Sequence, residues 1–165
     1  MSIFLRDYYG NNRLSAAQIL KDPILFMAFG FGSGLAKYMP GTFGTIAALP
    51  LYWALQYTSP WVYAVVTILS VVVGIFICGQ AANKLATQDF GGIVWDEIAG
   101  LLISLYGLPF NWQTVLAGFV LFRLLDIIKP WPIRWFDKHV HGGFGIMLDD
   151  VVAGLFAAAI LRIWI

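Results

Sequence analysis

No charged residue occurs among residues 38–83, and this uncharged stretch is the strongest constraint on how the chain can fold. A helix needs roughly 20 apolar residues, at about 1.5 Å each, to cross the hydrocarbon core of a bilayer. The stretch is therefore long enough for two such helices and a turn between them. Residues 56–61 are the predicted turn, because they combine Ser59-Pro60 with aromatic side chains typical of membrane interfaces.

The composition also favours an integral membrane protein. Apolar residues make up 60% of the 165-residue chain and charged residues 12%, which is little charge for a soluble domain. A net charge of +1 without a basic run argues against nucleic-acid binding. The single cysteine, Cys78, excludes an internal disulfide framework and a thiolate zinc site.

Other uncharged stretches predict further helices. Residues 24–35 contain three glycines and are short for a crossing, so they are predicted to form a half-helix or a re-entrant segment. A break at residues 107–112 predicts a helical hairpin. We therefore expect an all-α, polytopic membrane bundle with about five crossings. The predicted crossings are residues 41–56, residues 61–80, the two arms of a hairpin within residues 98–122, and residues 147–165.

The Lys and Arg residues predict the orientation of these crossings. The turns at residues 56–61 and 107–112 contain neither residue type, whereas the other connections do. Since positive residues are retained in the cytoplasm, the charged connections are predicted to be cytoplasmic, and Arg162 fits this topology poorly. Residues 1–22 lack the features of a signal peptide and are predicted to form a cytosolic lead-in to one membrane-embedded domain, residues 23–165.

Acidic residues form three clusters, next to or within apolar helix, on the predicted cytoplasmic side. Ionisable groups at membrane depth cost several kcal/mol unless they are paired or hydrated, so they mark a candidate functional site. Carboxylates from three helices are suited to a hard cation such as Mg²⁺. The candidate metal-binding and catalytic residues are Asp96, Glu97, Asp126, Asp149 and Asp150, with Asp89 as a candidate outer ligand.

Each acidic cluster also has a structural interpretation. Arg123 and Asp126 are three residues apart on one predicted helix face, as in a buried ion pair. The adjacent pairs at residues 96–97 and 149–150 are each predicted to start an apolar helix, where acidic residues act as caps and interact favourably with the helix dipole. The sequence leaves these alternatives open.

Candidate phosphate-binding groups lie on the same predicted side. Lys129 and Arg134 belong to a tryptophan-rich segment typical of a membrane interface. His141 is a candidate acid, base or phosphate donor, although a solvated loop histidine fits equally well. Residues 40–45 begin a predicted helix whose free N–H groups and hydroxyls can receive an anion. The candidate phosphate-binding residues are Arg123, Lys129, Arg134, Thr42 and Thr45.

The sequence lacks the motifs of several known mechanisms of phosphate chemistry. Cys78 is followed six positions later by Lys84 rather than by Arg, and neither an Asp-x-Asp motif nor a Walker loop occurs. A metal held by carboxylates that activates water is the mechanism that remains, with a covalent phospho-aspartate as the second route. The alternative function is a small transporter or proton-coupled carrier, which predicts charged groups spread through the membrane depth. A lipid-binding subunit would leave the number of carboxylates unexplained.

Several ordered motifs closely resemble those of the phosphatidylglycerophosphatase A family, from about residue 23 to the C-terminus. The resemblance implies a bacterial inner-membrane, Mg²⁺-dependent phosphatase that faces the cytoplasm. Its substrate would be the membrane lipid phosphatidylglycerophosphate, and its products phosphatidylglycerol and inorganic phosphate. The motifs are residues 30–35, Pro40-Gly41-Thr42 with Gly44, residues 93–97 with Gly100, Arg123 with Asp126, residues 129–137 and residues 141–150.

Overall fold

A computed structural model describes residues 15–87 and 90–164, and every regular element in these ranges is helical. The all-α prediction is therefore confirmed for the described residues. A 3₁₀ segment, Gly30–Leu35, lies between the second and third α-helices. The α-helices are α1 (Ala16–Lys21), α2 (Pro23–Ala28), α3 (Pro40–Leu55), α4 (Pro60–Leu85), α5 (Trp95–Leu105), α6 (Trp112–Ile128), α7 (Ile133–His139) and α8 (Gly142–Trp164).

The two predicted uncharged turns lie where the sequence placed them. Ser59 precedes α4, and its hydroxyl accepts a hydrogen bond from the backbone N–H of Val62, while Pro60 occupies the first helical position. Asn111 precedes α6 and accepts from the N–H of Thr114 in the same way. These side chains satisfy N–H groups that a helix start leaves without an intrahelical partner, so they fix where both helices begin.

Both turns lie at the same end of the bundle. The ring of Tyr52 near the end of α3 lies 5.9 Å from the ring of Phe110, and Tyr63 near the start of α4 lies 5.3 Å from Tyr106. The Tyr63 hydroxyl also donates to the carbonyl of Leu102. Consequently the first turns of α3 and α5 and the last turns of α4 and α6 lie at the opposite end.

Helix α5 occupies the centre of the bundle, where it packs against α3, α4, α6 and α8. Ala99, Leu101, Leu102 and Leu105 have no exposed surface, so almost the whole circumference of this helix is covered. A Cβ at Gly100 would collide with the ring of Phe122, and glycine therefore allows α6 to approach α5 closely. The first turn of α5 is therefore surrounded by neighbouring helices, although it lies toward one end of the bundle.

Two helices, α4 and α8, are long and apolar enough to cross a membrane. They have 26 and 23 residues, and their most apolar windows have mean hydropathies of 2.6 and 2.0. The outer face of α4 exposes Val65, Ile68, Leu69 and Val72, which is the kind of continuous apolar surface that contacts lipid. The structure thus gives two candidate membrane-spanning helices, and the full set of five crossings stays a prediction.

Short helices fill the segment that was predicted to be a half-helix or re-entrant. Residues 24–35 form most of α2 and the 3₁₀ segment, which is kinked at Phe31 and Gly32, both with positive φ. Asp22 caps α2 and pairs with Lys84 at the end of α4. The hydrogen bond from Lys84 is the main reason that the pKa of Asp22 lies below its usual value. Of the predicted lead-in, residues 1–14 lie outside the described residues.

The structure corrects the predicted start of the last helix and explains Arg162. Helix α8 begins at Gly142 rather than at residue 147, and its first turn packs so tightly on α4 that a Cβ on Gly143 would collide with the carbonyl of Ile75. Near the other end, Arg162 donates to the carbonyls of Ala158, at 2.9 Å, and Tyr106, at 2.5 Å. Its charge is therefore stabilised by backbone carbonyls near the C-terminal ends of α5 and α8, where the helix dipole is negative.

Candidate active site

A cavity of about 360 Å³ lies where α5 and α8 begin and α6 ends. We call it the acidic cavity, because carboxylates from four helices line it. Lys129 and His141 line it as well. Its carboxylates are Asp96, Glu97, Asp126, Asp137, Asp149 and Asp150.

The α5 carboxylates lie in the first turn of that helix, where the positive end of the helix dipole stabilises negative charge. Val94 is the N-cap residue, so neither Asp96 nor Glu97 caps the helix. Oδ1 of Asp96 and Oε2 of Glu97 are buried and accept no hydrogen bond from the described residues. Burying such an oxygen without a partner costs about 1–3 kcal/mol, so both oxygens point to a ligand in the cavity.

The α8 carboxylates lie well inside their helix. The prediction that Asp149 and Asp150 start a helix is wrong, because α8 begins at Gly142 and the pair lies in its third turn. The two residues are only 7% and 2% exposed. Helix capping therefore does not explain this pair, and two adjacent buried carboxylates need nearby positive charge.

Carboxylate oxygens converge in two overlapping groups. Oxygens of Asp96, Glu97 and Asp150 all lie within 4.8 Å of one another, and so do oxygens of Asp126, Asp149 and Asp150. Asp150 belongs to both groups. A purely oxygen donor set is typical of Mg²⁺ rather than of zinc or copper. The residues therefore fit the predicted Mg²⁺, and its binding stays a prediction.

Arg123 lies between two of these carboxylates. Its Nη1 is 2.5 Å from Oδ2 of Asp126 and 3.5 Å from Oε1 of Glu97, which confirms the predicted ion pair on α6. Even so, Nε and Nη1 are buried and donate no hydrogen bond within the part of the chain that the structure describes. Since a guanidinium carries five N–H donors, Arg123 keeps donors for an anion.

The first turn of α3 adjoins the same arginine. A Cβ on Gly41 would touch the carboxylate of Glu97 and would lie 3.0 Å from Nη2 of Arg123. The hydroxyl of Thr42 is buried without a partner among the described groups, whereas that of Thr45 donates to the carbonyl of Gly41 at 2.8 Å. Thr42 thus keeps an unused hydroxyl in the helical turn that adjoins Arg123, and Thr45 is bonded within its own helix.

Lys129 links three elements around the cavity. Its ammonium group donates to Asp149 of α8 and, at 2.5 Å, to Asp137 of α7. Burial works to lower the pKa of Lys129, but the charges of Asp149 and Asp137 outweigh it, so the pKa lies above its usual value. Sequence reasoning missed Asp137 as a site residue, because the folding back of α7 that brings it to Lys129 leaves no pattern in the sequence.

The remaining predicted residues lie at the edge of the site or beyond it. His141 lines the cavity and is exposed at its rim. Arg134 is exposed on α7 and does not line the cavity. Asp89, the candidate outer ligand, lies outside the described residues.

Comparisons with known proteins agree with the motif resemblance. Residues 26–165 match the family described as phosphatidylglycerophosphatase A. The chain is 51% identical over 144 residues to the phosphatidylglycerophosphatase A of Escherichia coli strain K12, covering 86% of this chain and 83% of the relative. It is 40% identical to the protein of the same name from Haemophilus influenzae, with 92% and 93% covered.

A third relative carries a different name. It is a putative phosphatidylinositol-3-phosphatase of Bacteroides thetaiotaomicron, 36% identical to this chain with 86% of the chain and 92% of the relative covered. No solved structure matches the chain. The family match spans most of the sequence, and it includes every carboxylate of the acidic cavity. The chain therefore belongs to the phosphatidylglycerophosphatase A family.

Proposed function

We propose that the chain is a Mg²⁺-dependent lipid phosphatase that hydrolyses phosphatidylglycerophosphate to phosphatidylglycerol and inorganic phosphate. The observation that carries the proposal is the convergence of buried carboxylates in one cavity, two of which, Glu97 and Asp126, are paired with Arg123. Membership in the family, and two relatives named phosphatidylglycerophosphatase A, support the choice of substrate.

The carboxylates supply two roles in this proposal. Asp96, Glu97 and Asp150 would hold one cation, and Asp126, Asp149 and Asp150 would hold a second. When bound, Mg²⁺ would supply Lewis-acid chemistry at the phosphoryl oxygens and lower the pKa of a water molecule. A carboxylate oxygen that is not bound to a cation would act as the general base toward that water.

Arg123 binds the phosphate in this scheme. Its unused Nε and Nη1 donors, the hydroxyl of Thr42 and the first turn of α3 form a cradle for an anion. The cradle neutralises charge on the phosphoryl group as the bond to the glycerol oxygen breaks.

Lys129 and His141 complete the proposed site. The ammonium group of Lys129 moves from Asp149 to the phosphate when the phosphate enters. This frees the carboxylate of Asp149, and the phosphate then contacts a second positively charged side chain besides Arg123. His141 at the rim is placed to donate a proton to the departing glycerol oxygen. The oxygen of water then forms the new bond to phosphorus, and the alcohol leaves as phosphatidylglycerol.

We further propose a multi-pass protein of the bacterial inner membrane whose acidic cavity faces the cytoplasm. The positive-inside rule supports this orientation, because the turns at residues 56–59 and 106–111 contain no Lys or Arg. At that end of the bundle, Arg162 is held by backbone carbonyls. A transporter is less well supported, since the acidic side chains of the described residues gather at one end of the bundle.

The test is phosphate release from phosphatidylglycerophosphate in detergent micelles, with Mg²⁺ and with EDTA. We expect metal-dependent release, and much slower release from phosphatidylinositol 3-phosphate, the substrate class in the name of the Bacteroides relative. Absence of release from a folded preparation would contradict the proposal. Phosphate trapped on the protein after acid quenching would replace direct attack by water with the phospho-aspartate route.

A further inference from the structure

An apolar groove of about 580 Å³ runs along the outer surface between α3 and α6. We call it the α3–α6 groove, and no charged side chain of the described residues lines it. Its main walls are Ile46, Leu49 and Trp53 of α3 and Val115, Leu116 and Phe119 of α6.

The α3 wall leads toward the acidic cavity. Thr42, Ile46, Leu49 and Trp53 are spaced by four, three and four residues, so they form one stripe along the helix. The stripe begins at Thr42, whose buried hydroxyl has no partner among the described groups. The groove therefore points along α3 to the proposed phosphate cradle.

The α6 wall leads to the same place. Leu116, Phe119 and Arg123 are spaced by three and four residues on one face of α6. Helix α6 runs antiparallel to α3, because Arg123 in the C-terminal half of α6 lies beside Gly41 in the first turn of α3. Both walls thus converge on one polar end, while Trp53 and Trp112 mark the other end.

The dimensions of the α3–α6 groove match one hydrocarbon chain of a phospholipid. Arg123 and Trp112 are eleven residues apart, or about 16 Å along the helix, so the groove is long enough to hold a large part of one extended acyl chain. Ile46 and Leu116 are 45% and 52% exposed, so the groove is open along its side. A chain can enter sideways without leaving an apolar environment.

We propose that the α3–α6 groove binds one acyl chain of the phospholipid substrate while its phosphate reaches Arg123 and Thr42. The inference rests on the proposed lipid phosphatase activity and adds the subsite that recognises the apolar part of the substrate. A chain long enough to fill the groove buries more methylene groups than a short one, so the groove sets chain-length selectivity.

The first test narrows the groove from each wall. Leu116→Trp and Ile46→Trp place an indole in it, and Leu155→Trp is the matched control, because Leu155 is 56% exposed on α8 and lines neither cavity. The measurement is kcat/KM for phosphatidylglycerophosphate with long and with shortened acyl chains. Excluding about two methylene groups should lower the long-to-short ratio about tenfold in both groove variants but not in the control. An unchanged ratio in both groove variants would overturn the proposal.

The second test uses the unmodified protein, so it does not depend on how the variants fold. Phosphatidylglycerophosphate with a diazirine near the end of one acyl chain is photolysed with the enzyme in micelles, with and without excess unlabelled substrate. We expect competed labelling of peptides from α3 and α6. Labelling mainly on the outer face of α4 would overturn the proposal.

A further experiment tests whether a second copy of the chain occupies the groove. Efficient disulfide dimerisation of Leu116→Cys would assign the groove to that second copy and would also overturn the proposal.

These tests separate the acyl subsite from the proposed function. If the phosphatase assignment fails, the unmodified protein releases phosphate from neither chain length. If only the acyl subsite fails, phosphate release persists with the same chain-length ratio in the groove variants and in the control.

Discussion

Nη1 of Arg123 lies 2.5 Å from Oδ2 of Asp126, one helical turn further along α6, yet directs no N–H at it in hydrogen-bond geometry. The ion pair therefore balances the charge of Asp126 while Nε and Nη1 stay without a hydrogen-bond partner among the described residues. Such an arrangement suits a residue that neutralises a carboxylate in the free enzyme and binds phosphate oxygens in the complex.

Arg123→Lys is expected to lower kcat/KM at least about 100-fold, because an ammonium group keeps the charge but loses the planar fork of donors. Phosphate release at saturating Mg²⁺ measures the loss, and circular dichroism checks that the variant is folded. Wild-type kcat/KM in the lysine variant would show that only the charge at this position matters.

Lys129→Met is expected to weaken the binding of substrate and to strengthen the binding of Mg²⁺. Removal of the ammonium group weakens phosphate binding and raises KM, but it also frees Asp149 from a competing cation. The Mg²⁺ concentration for half-maximal activity should therefore fall severalfold. Titration of activity with Mg²⁺ at saturating substrate measures this, and an unchanged or higher half-maximal concentration would contradict the competition.

Gly41→Ala should impair catalysis more than stability. The new Cβ meets the ends of the Glu97 and Arg123 side chains, which are flexible enough to move aside but then leave their positions in the site. We expect kcat/KM to fall about tenfold or more with a Tm close to that of the wild type. Phe43→Ala, in the same turn but at an exposed position, is the control. Equal effects of the two changes would contradict the contact.

Asp22 is expected to contribute to stability rather than to activity. Asp22→Ala removes the cap of α2 and should cost about 1 kcal/mol, whereas Asp22→Asn keeps a capping side chain and should cost less. Because Lys84 lowers the pKa of Asp22, the ion pair stabilises the protein at neutral pH and is lost as the pH falls below the usual aspartate pKa of 3.8. Thermal unfolding in detergent at several pH values measures both effects. Equal losses in the two variants at neutral pH would contradict the capping role.

Local patterns in the sequence were sufficient for the starts of α4 and α6 and for one ion pair. Ser59-Pro60 and Asn111 mark helix starts through hydrogen bonds to residues three positions away, so the chain itself encodes them. The three-residue spacing of Arg123 and Asp126 is equally local, and it correctly predicted their contact.

Contacts between distant segments could not be predicted in the same way. Lys129 meets Asp149 only because α7 folds back and leads into α8, whose close approach to α4 requires glycine at position 143. The closeness of Gly41 to Arg123 depends on the antiparallel placement of α3 and α6 around α5. These features follow from packing, which no single segment specifies.

The most direct test of the account is the Mg²⁺ dependence of phosphate release by the wild type and by Asp150→Asn, with Asp22→Asn as a matched carboxylate-to-amide control outside the cavity. Asp150 contributes an oxygen to both predicted cation positions. The account predicts that EDTA abolishes release by the wild type, that the Asp150 variant stays inactive at every Mg²⁺ concentration, and that the control behaves as the wild type. Full activity in EDTA, or a Mg²⁺ response of Asp150→Asn equal to that of the wild type, would contradict it.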